Sequence, residues 1–405
     1  MASCAITHPL HLSCTMVTLC FYSRGIYPMS PPESSALLFP GAVPARYWHK
    51  LDDGRLQCDL CPRFCHLHEG QRGACFVRAR RGEELVLTTY GRSSGFCLDP
   101  LEKKPLNHFY PGSPVLSFGT AGCNLSCRFC QNWDISKSRS TDKLQSVASP
   151  DSIAAAAVNN NAIAVAYTYN DPVIFHEYAV DTAIACHERD IFNIAVTAGY
   201  VCPEPRSEFY RYMDAVNVDL KAFTPRFYKQ LCAADLDAVL DTLRYIRHET
   251  RVWLEITVLL IPDENDSEAE LNLMSAWLAD NMGPDVPVFF TAFHPDFKMQ
   301  DKPRTPAETL MKARHIALQH GLHYVYTGNM HDSTGGSTWC PGCHHRIIGR
   351  DWYELSEWQL QVDTEGRGTC AHCQTPIAGV FAEKPGTWGR KRARIKFRPA
   401  KNQQA

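Results

Sequence analysis

The chain predicts an α/β fold: a parallel sheet crossed by helices, with a small cysteine-rich module before it and a second cysteine-paired module after it. Three observations carry this. Short apolar runs alternate with helix-like stretches through the middle of the chain, and eleven of its eighteen cysteines fall into three tight clusters. With 405 residues, 45% of them hydrophobic, it is also long enough to bury a large core.

Apolar runs of strand length lie at 115–118, 163–168, 191–197, 215–220, 252–260 and 288–293, with a weaker seventh at 324–327. Helix-like stretches fall between them at 149–159, 173–189, 205–213, 234–249, 268–281 and 306–320. Ser149-Pro150-Asp151 reads as a cap followed by proline at the first helical position, as does Thr305-Pro306-Ala307-Glu308. Gly321 suits a helix end. Repeating strand–helix units require right-handed crossovers and a parallel sheet, open or curled into a full or partial barrel. Active sites in such folds lie at the C-terminal ends of the strands.

The predicted organisation is a low-complexity extension (1–44), a cysteine-rich metal-binding module (45–110), a core (111–335), a zinc-ribbon-like module (336–384) and a basic tail (385–405). That tail carries Arg390, Lys391, Arg392, Arg394, Lys396, Arg398 and Lys401 and reads as solvated. A net charge of -2 argues against a nucleic-acid coat. No run reaches the roughly 18 apolar residues that span a bilayer, and no basic start precedes the apolar patch at 10–22. The expectation is a soluble, cytoplasmic protein without membrane or nucleic-acid partners.

Cysteine spacing distinguishes disulfides from metal ligands. Near neighbours in sequence rarely meet disulfide geometry, whereas thiolates two to four residues apart converge readily on a metal. Cys4, Cys14, Cys20, Cys97, Cys186, Cys202 and Cys232 are scattered and read as incidental. Cys123, Cys127 and Cys130 follow the first core strand with Cys-x3-Cys-x2-Cys spacing. Three thiolates leave one metal position open, as a catalytic site needs, and a [4Fe–4S] cube held this way keeps one iron free for another ligand. Gly119 and Gly122 let the backbone curl around such a cube. The competing readings are a zinc knuckle lacking its fourth ligand, or buried thiols; the strand, the glycines and Phe129 favour the cluster. Cys58, Cys61, Cys65 and Cys75 supply four thiolates, enough to close a zinc site or hold a second Fe–S cluster, and spacing does not choose between them. Cys340, Cys343, Cys370 and Cys373 form two Cys-x2-Cys knuckles 26 residues apart and point to structural zinc, with His344, His345 and His372 as bystanders.

The segment 117–133, Ser-Phe-Gly-Thr-Ala-Gly-Cys-Asn-Leu-Ser-Cys-Arg-Phe-Cys-Gln-Asn-Trp, resembles the radical SAM superfamily. That resemblance implies a partial (β/α)6 barrel, a [4Fe–4S] cluster and S-adenosylmethionine. It also implies reductive cleavage to a 5′-deoxyadenosyl radical that abstracts hydrogen from a substrate. Phe129 then counts among the cofactor-binding residues. Tyr167-Thr168-Tyr169-Asn170-Asp171-Pro172 occupies the place of the loop that hydrogen-bonds the methionine ammonium, implicating Asn170 and Asp171. Relatives tend to carry Asn-Glu-Pro there, so Asp171 is one methylene short, and the stretch also suits an ordinary helix cap. Thr197 lies in a ribose-side loop. Asp219-Leu220-Lys221 resembles the Asp-Leu-Lys of pyruvate formate-lyase activating enzyme relatives, implying that Asp219 and Lys221 act at the catalytic centre and on the cofactor's methionine end. Ile261-Pro262 and His294-Pro295 resemble adenosine-side contacts.

Further along the chain, Cys58-Asp-Leu-Cys-Pro-Arg-Phe-Cys65, Gly70-Gln-Arg-Gly-Ala-Cys75, the stretch from Glu102 to Gly112, and Phe293-His-Pro-Asp-Phe-Lys-Met299 resemble the AmmeMemoRadiSam system radical SAM enzyme, a relative of the glycyl-radical activating enzymes. This implies a flavodoxin- or ferredoxin-like electron donor and Memo-like and AMMECR-type partners. The alternatives are a glycyl-radical-enzyme activase specifically, or a non-catalytic Fe–S/zinc interaction protein. Lys103 and Lys104 read either as substrate or cofactor contacts or, the favoured reading, as an ordinary charged loop.

Overall fold

The structure is a computed structural model that describes residues 39, 41–139, 144 and 146–397. Cys4, Cys14, Cys20, nearly all of the extension, and Arg398 and Lys401 lie outside the described residues.

All seven apolar runs form strands of one nine-stranded sheet. In chain order the sheet contains β1 (Phe96–Pro100), β2 (Pro114–Phe118), β3 (Ala164–Tyr167), β4 (Phe192–Thr197), β5 (Ala215–Asp219), β6 (Trp253–Leu260), β7 (Val288–Ala292), β8 (Val325–Gly328) and β9 (Ala393–Ile395). Across the sheet the order is β8-β7-β6-β5-β4-β3-β2-β1-β9. Strands β2 to β8 are parallel, each beside its predecessor, and β1 and β9 add antiparallel partners at one edge. Helices α1 (Pro150–Asn159), α2 (His176–His187), α3 (Pro203–Arg211), α4 (Leu236–Glu249), α5 (Glu268–Met282) and α6 (Ala307–Gln319) make the six crossovers.

The strands read as continuous apolar runs because both faces are covered. Leu116, Phe118, Val165, Tyr167, Val216 and Val218 belong to the main core with the helices. Val115, Ala164, Ala166, Ile194 and Ala215 on the other face pack under Leu101, Leu106 and Phe109. The stretch from Glu102 to Gly112 therefore seals the sheet's N-terminal end. Glu255 on β6 accepts the Asn107 and His108 amides at 2.9 Å, and His108 bridges Ala378 O and the Tyr326 hydroxyl at 2.6 Å.

Local signals held unevenly. Ser149 caps α1 by accepting the Ser152 amide at 3.2 Å. Thr305 does not cap α6; its hydroxyl donates to Leu260 O at 2.6 Å and accepts the Phe293 amide, so a tertiary contact displaces the local cap. One further expectation is corrected. Lys104 is buried, its ammonium 2.7 Å from Asp99, and burial lowers it to about 8. Residues 393–395 of the basic tail pair with β1 as β9, while Arg390, Lys391, Arg392, Arg394 and Lys396 stay exposed, as the solvated reading expected.

The N-terminal module comprises two three-stranded sheets, and the C-terminal module pairs the hairpin strands Thr338–Trp339, Arg346–Asp351 and Glu354–Trp358, then Leu360–Val362, Gly368–Cys370 and Pro376–Ile377. Phe289, Tyr324 and Tyr326 of the core join Ile347, Ile348 and Phe381 in one apolar cluster, which fixes the second module to the β7–β8 edge. Among the described residues no helix is long and apolar enough to cross a membrane.

Candidate functional site

The loop after β2 carries Cys123, Cys127 and Cys130, placing them at the C-terminal edge of the parallel strands. Its path is fixed from three sides. Asn170, after β3, accepts the Thr120 amide at 3.1 Å and donates to Gly122 O at 2.8 Å. A Cβ on Gly119 would lie 2.3 Å from Thr168 O, so only glycine fits that approach. On the far side Ser126 and Arg128 donate their amides to Cys232 O and Leu231 O at 2.8 and 2.9 Å. The loop after β7 covers the third side: Lys298 N donates to Arg128 O at 3.0 Å, Trp133 Nε1 to Asp296 at 3.0 Å, and Trp133 stacks on Phe297.

Lys221, just beyond β5, donates to Asp219 at 2.5 Å. Burial alone would lower its ammonium, but Asp219 and the Cys127 sulfur more than offset this and hold it raised. The site thus keeps a fixed cation beside Cys127. Burial pushes the Cys123 thiol up to about 12 and raises Cys130, whose sulfur lies 3.0 Å from the Ser136 hydroxyl. Thiols held this way shed protons when iron binds them.

The other expected cofactor residues are placed as follows. Asp171 is buried and accepts the Val173 amide at 3.0 Å, the Ala198 amide at 2.9 Å and the Thr197 hydroxyl at 3.1 Å. It caps the turn after β3 and ties down the loop after β4, as the helix-cap reading expected. Phe129 is buried against Phe227. His294 is exposed after β7.

Sequence reasoning missed Asn265 and Cys232. Asn265 is 1% exposed; it accepts the Ile261 amide at 2.7 Å and donates to Lys221 O and Leu259 O at 2.8 and 2.9 Å, joining the β5 and β6 loops. Its position four residues past Ile261 is the only local signal. Cys232, read as incidental, is buried in the same core cluster as Cys127, and its thiol holds the Cys127 thiol below its ordinary value.

At the other end of the chain, Cys340, Cys343, Cys370 and Cys373 bring all four sulfurs within 4.8 Å of one another. Cys340–Cys373 and Cys343–Cys370 lie at 3.5 and 3.7 Å, near the roughly 3.8 Å expected of thiolates around one tetrahedral ion at about 2.3 Å. Both knuckles have the same turn: His344 N donates to Cys340 O and Gln374 N to Cys370 O. The stacked rings of His345 and His372 stand outside the four.

Comparison with known proteins decides the family. Residues 118–273 match the model of the radical SAM superfamily. The chain belongs to the radical SAM superfamily. An uncharacterized protein of Methanocaldococcus jannaschii is 37% identical over 326 residues, covering 80% of this chain and 97% of that protein. Among solved structures, a domain of pyruvate-formate lyase-activating enzyme from Bacteroides vulgatus covers 41% of this chain and 99% of its own, at 19% identity and TM-score 0.37. A radical SAM methyltransferase from Sphaerobacter thermophilus covers 73% and 79%, at 15% identity and TM-score 0.44. Membership implies an enzyme with a [4Fe–4S] cluster and S-adenosylmethionine. The donor set fits that group: three thiols in a glycine-cradled loop, an ammonium beside one of them, and a cavity lined by Gly122, Cys123, Leu125 and Ser126.

Proposed function

We propose that the chain is a radical enzyme in which Cys123, Cys127 and Cys130 hold the [4Fe–4S] cluster and the strand-end loops bind S-adenosylmethionine. The observation that carries this is the Asp219–Lys221 pair set beside the cysteine loop at the strands' C-terminal edge. Bound together, cluster and cofactor supply a 5′-deoxyadenosyl radical that takes hydrogen from a substrate. Lys221 offers the cofactor's carboxylate a fixed positive charge, and Asp219 keeps that ammonium charged and in place. Asn170 and Asp171 act as positioning residues: one staples the cysteine loop, the other holds Thr197 and Ala198 for the ribose side. Phe129, buried against Phe227, excludes water from the cluster loop. His294 contacts the adenosine side.

The C-terminal four cysteines hold structural zinc, since their spacing suits one tetrahedral ion. The mouth at Cys123 also carries Lys137, Arg139 and Lys298. A basic rim of this kind suits an acidic flavodoxin- or ferredoxin-like donor. The motif string resembles that of the AmmeMemoRadiSam branch, which makes Memo-like and AMMECR-type proteins candidate partners.

The test is product analysis. Anaerobically reconstituted protein with reductant and S-adenosylmethionine should yield 5′-deoxyadenosine and methionine, and Cys127→Ala should abolish both while keeping the C-terminal metal. A wild type that makes no deoxyadenosine, or an Ala variant that still makes it, would defeat the proposal.

A further inference from the structure

The N-terminal cysteines are arranged unlike the C-terminal four. Cys58, Cys61, Cys65 and Cys75 all line one internal cavity, together with Arg63, Arg78 and Asn124. Among the described residues the C-terminal set is the group whose sulfurs gather within 4.8 Å, and the N-terminal four do not form such a group. Thiolates on one zinc ion must crowd to roughly 3.8 Å, whereas thiolates on a cube each take a different iron and stay apart.

The walls of the cavity carry a second signal. Arg78 is 1% exposed, and its Nη1 holds Glu177 at 2.9 Å while its Nε has no partner. Arg63 Nη2 is likewise buried without a partner, although its Nε donates to Asn124 O at 2.8 Å. Two buried guanidinium donors left unpaired beside four thiols call for an acceptor. The inorganic sulfides of an iron–sulfur cube are such acceptors, and a zinc ion brings none.

A third observation gives the site a role. Asn124, a wall of this cavity, is the neighbour of Cys123. A Cβ on Gly122 would fall 1.9 Å from Cys75 O, so the two cysteine loops touch through their backbones. Cys75 and Cys123 also share the basic mouth.

We infer that Cys58, Cys61, Cys65 and Cys75 hold a second, fully ligated [4Fe–4S] cluster that passes electrons to the cluster at Cys123, Cys127 and Cys130. One electron from a low-potential donor reduces the N-terminal cluster. That cluster is then reoxidised as the triad cluster goes from its 2+ to its 1+ state, with no bond made or broken. The relay rests on the radical-enzyme reading above; the metal assignment does not.

The experiment is metal counting and electron paramagnetic resonance on the full chain, reconstituted anaerobically and reduced with dithionite. Wild type should bind about eight irons per chain, four per cube, with about one zinc. Two signals should appear, only one of which changes when S-adenosylmethionine is added. Cys127→Ala should keep about four irons and only the insensitive signal. Cys65→Ser should keep about four irons and only the sensitive signal, and should make deoxyadenosine at least about tenfold more slowly with reduced flavodoxin as donor. About four irons with two zincs in the wild type would overturn the assignment even if Cys65→Ser fails to fold. A Cys65→Ser protein that loses its irons yet turns over at the full flavodoxin-driven rate would overturn the relay. Eight irons without deoxyadenosine would instead refute the enzyme reading and leave the second cluster standing.

Discussion

Replacing Gly122 by Ala probes the junction between the N-terminal module and the cysteine loop. Gly122 has φ +82°, and an alanine there costs about 1–2 kcal/mol in the left-handed region before any contact is considered. Its Cβ would also sit 1.9 Å from Cys75 O and 3.1 Å from Cys75 C. Backbone carbonyls cannot swing aside as side chains do, so one loop must retreat by roughly 1 Å, bringing the total to about 3 kcal/mol or more. Gly54 supplies the control, because it has the same φ of +82° and nothing within 4 Å. Gly54→Ala should therefore show only the conformational cost. The assay is thermal unfolding of both variants beside wild type, with iron content after reconstitution. Gly122→Ala should melt several degrees below Gly54→Ala and load less iron. Equal losses in the two variants would refute the close packing of Cys75 on the cysteine loop.

Other outcomes follow from the same geometry. Asn265→Ala strips three buried hydrogen bonds and should cost about 2–4 kcal/mol, with weaker S-adenosylmethionine binding by calorimetry as Lys221 loses its backbone anchor. His108 is neutral in the fold: burial lowers it to about 3, its Nδ1 donates to Ala378 O and its Nε2 accepts from Tyr326. The unfolded chain binds a proton near pH 6.5 that the folded chain refuses until about 3, so stability falls as pH drops through that window, by up to roughly 4–5 kcal/mol. His108→Gln should flatten this acid limb when melting temperature is followed against pH. Removing the C-terminal metal with a chelator should lower the melting temperature while leaving the iron content unchanged, because the four thiolates staple a module packed on Tyr324 and Tyr326.

The parallel strands were readable because burial on both faces writes them as unbroken apolar runs, and the cysteine triad because its three residues lie close together in sequence. What stayed hidden is held by distant contacts. Cys232 lies more than a hundred residues from Cys127, and nothing local marks it as a neighbour of the cluster loop. Thr305-Pro306 carries a sound capping pattern, yet Leu260 O captures the hydroxyl. Lys104 read as part of a charged loop, but it is buried against Asp99, which is itself fully buried. Pattern locates elements and ligand sets; the partners that bury a charge or leave a guanidinium nitrogen unpaired appear only once the chain is folded.

The most direct measurement is electron–nuclear double resonance on the reduced protein with S-adenosylmethionine carrying 17O in its carboxylate and 15N in its amino group. Both labels should couple strongly to the cluster held by Cys123, Cys127 and Cys130, because three thiolates leave one iron open to them. Cluster signals without coupling to either label would contradict the account.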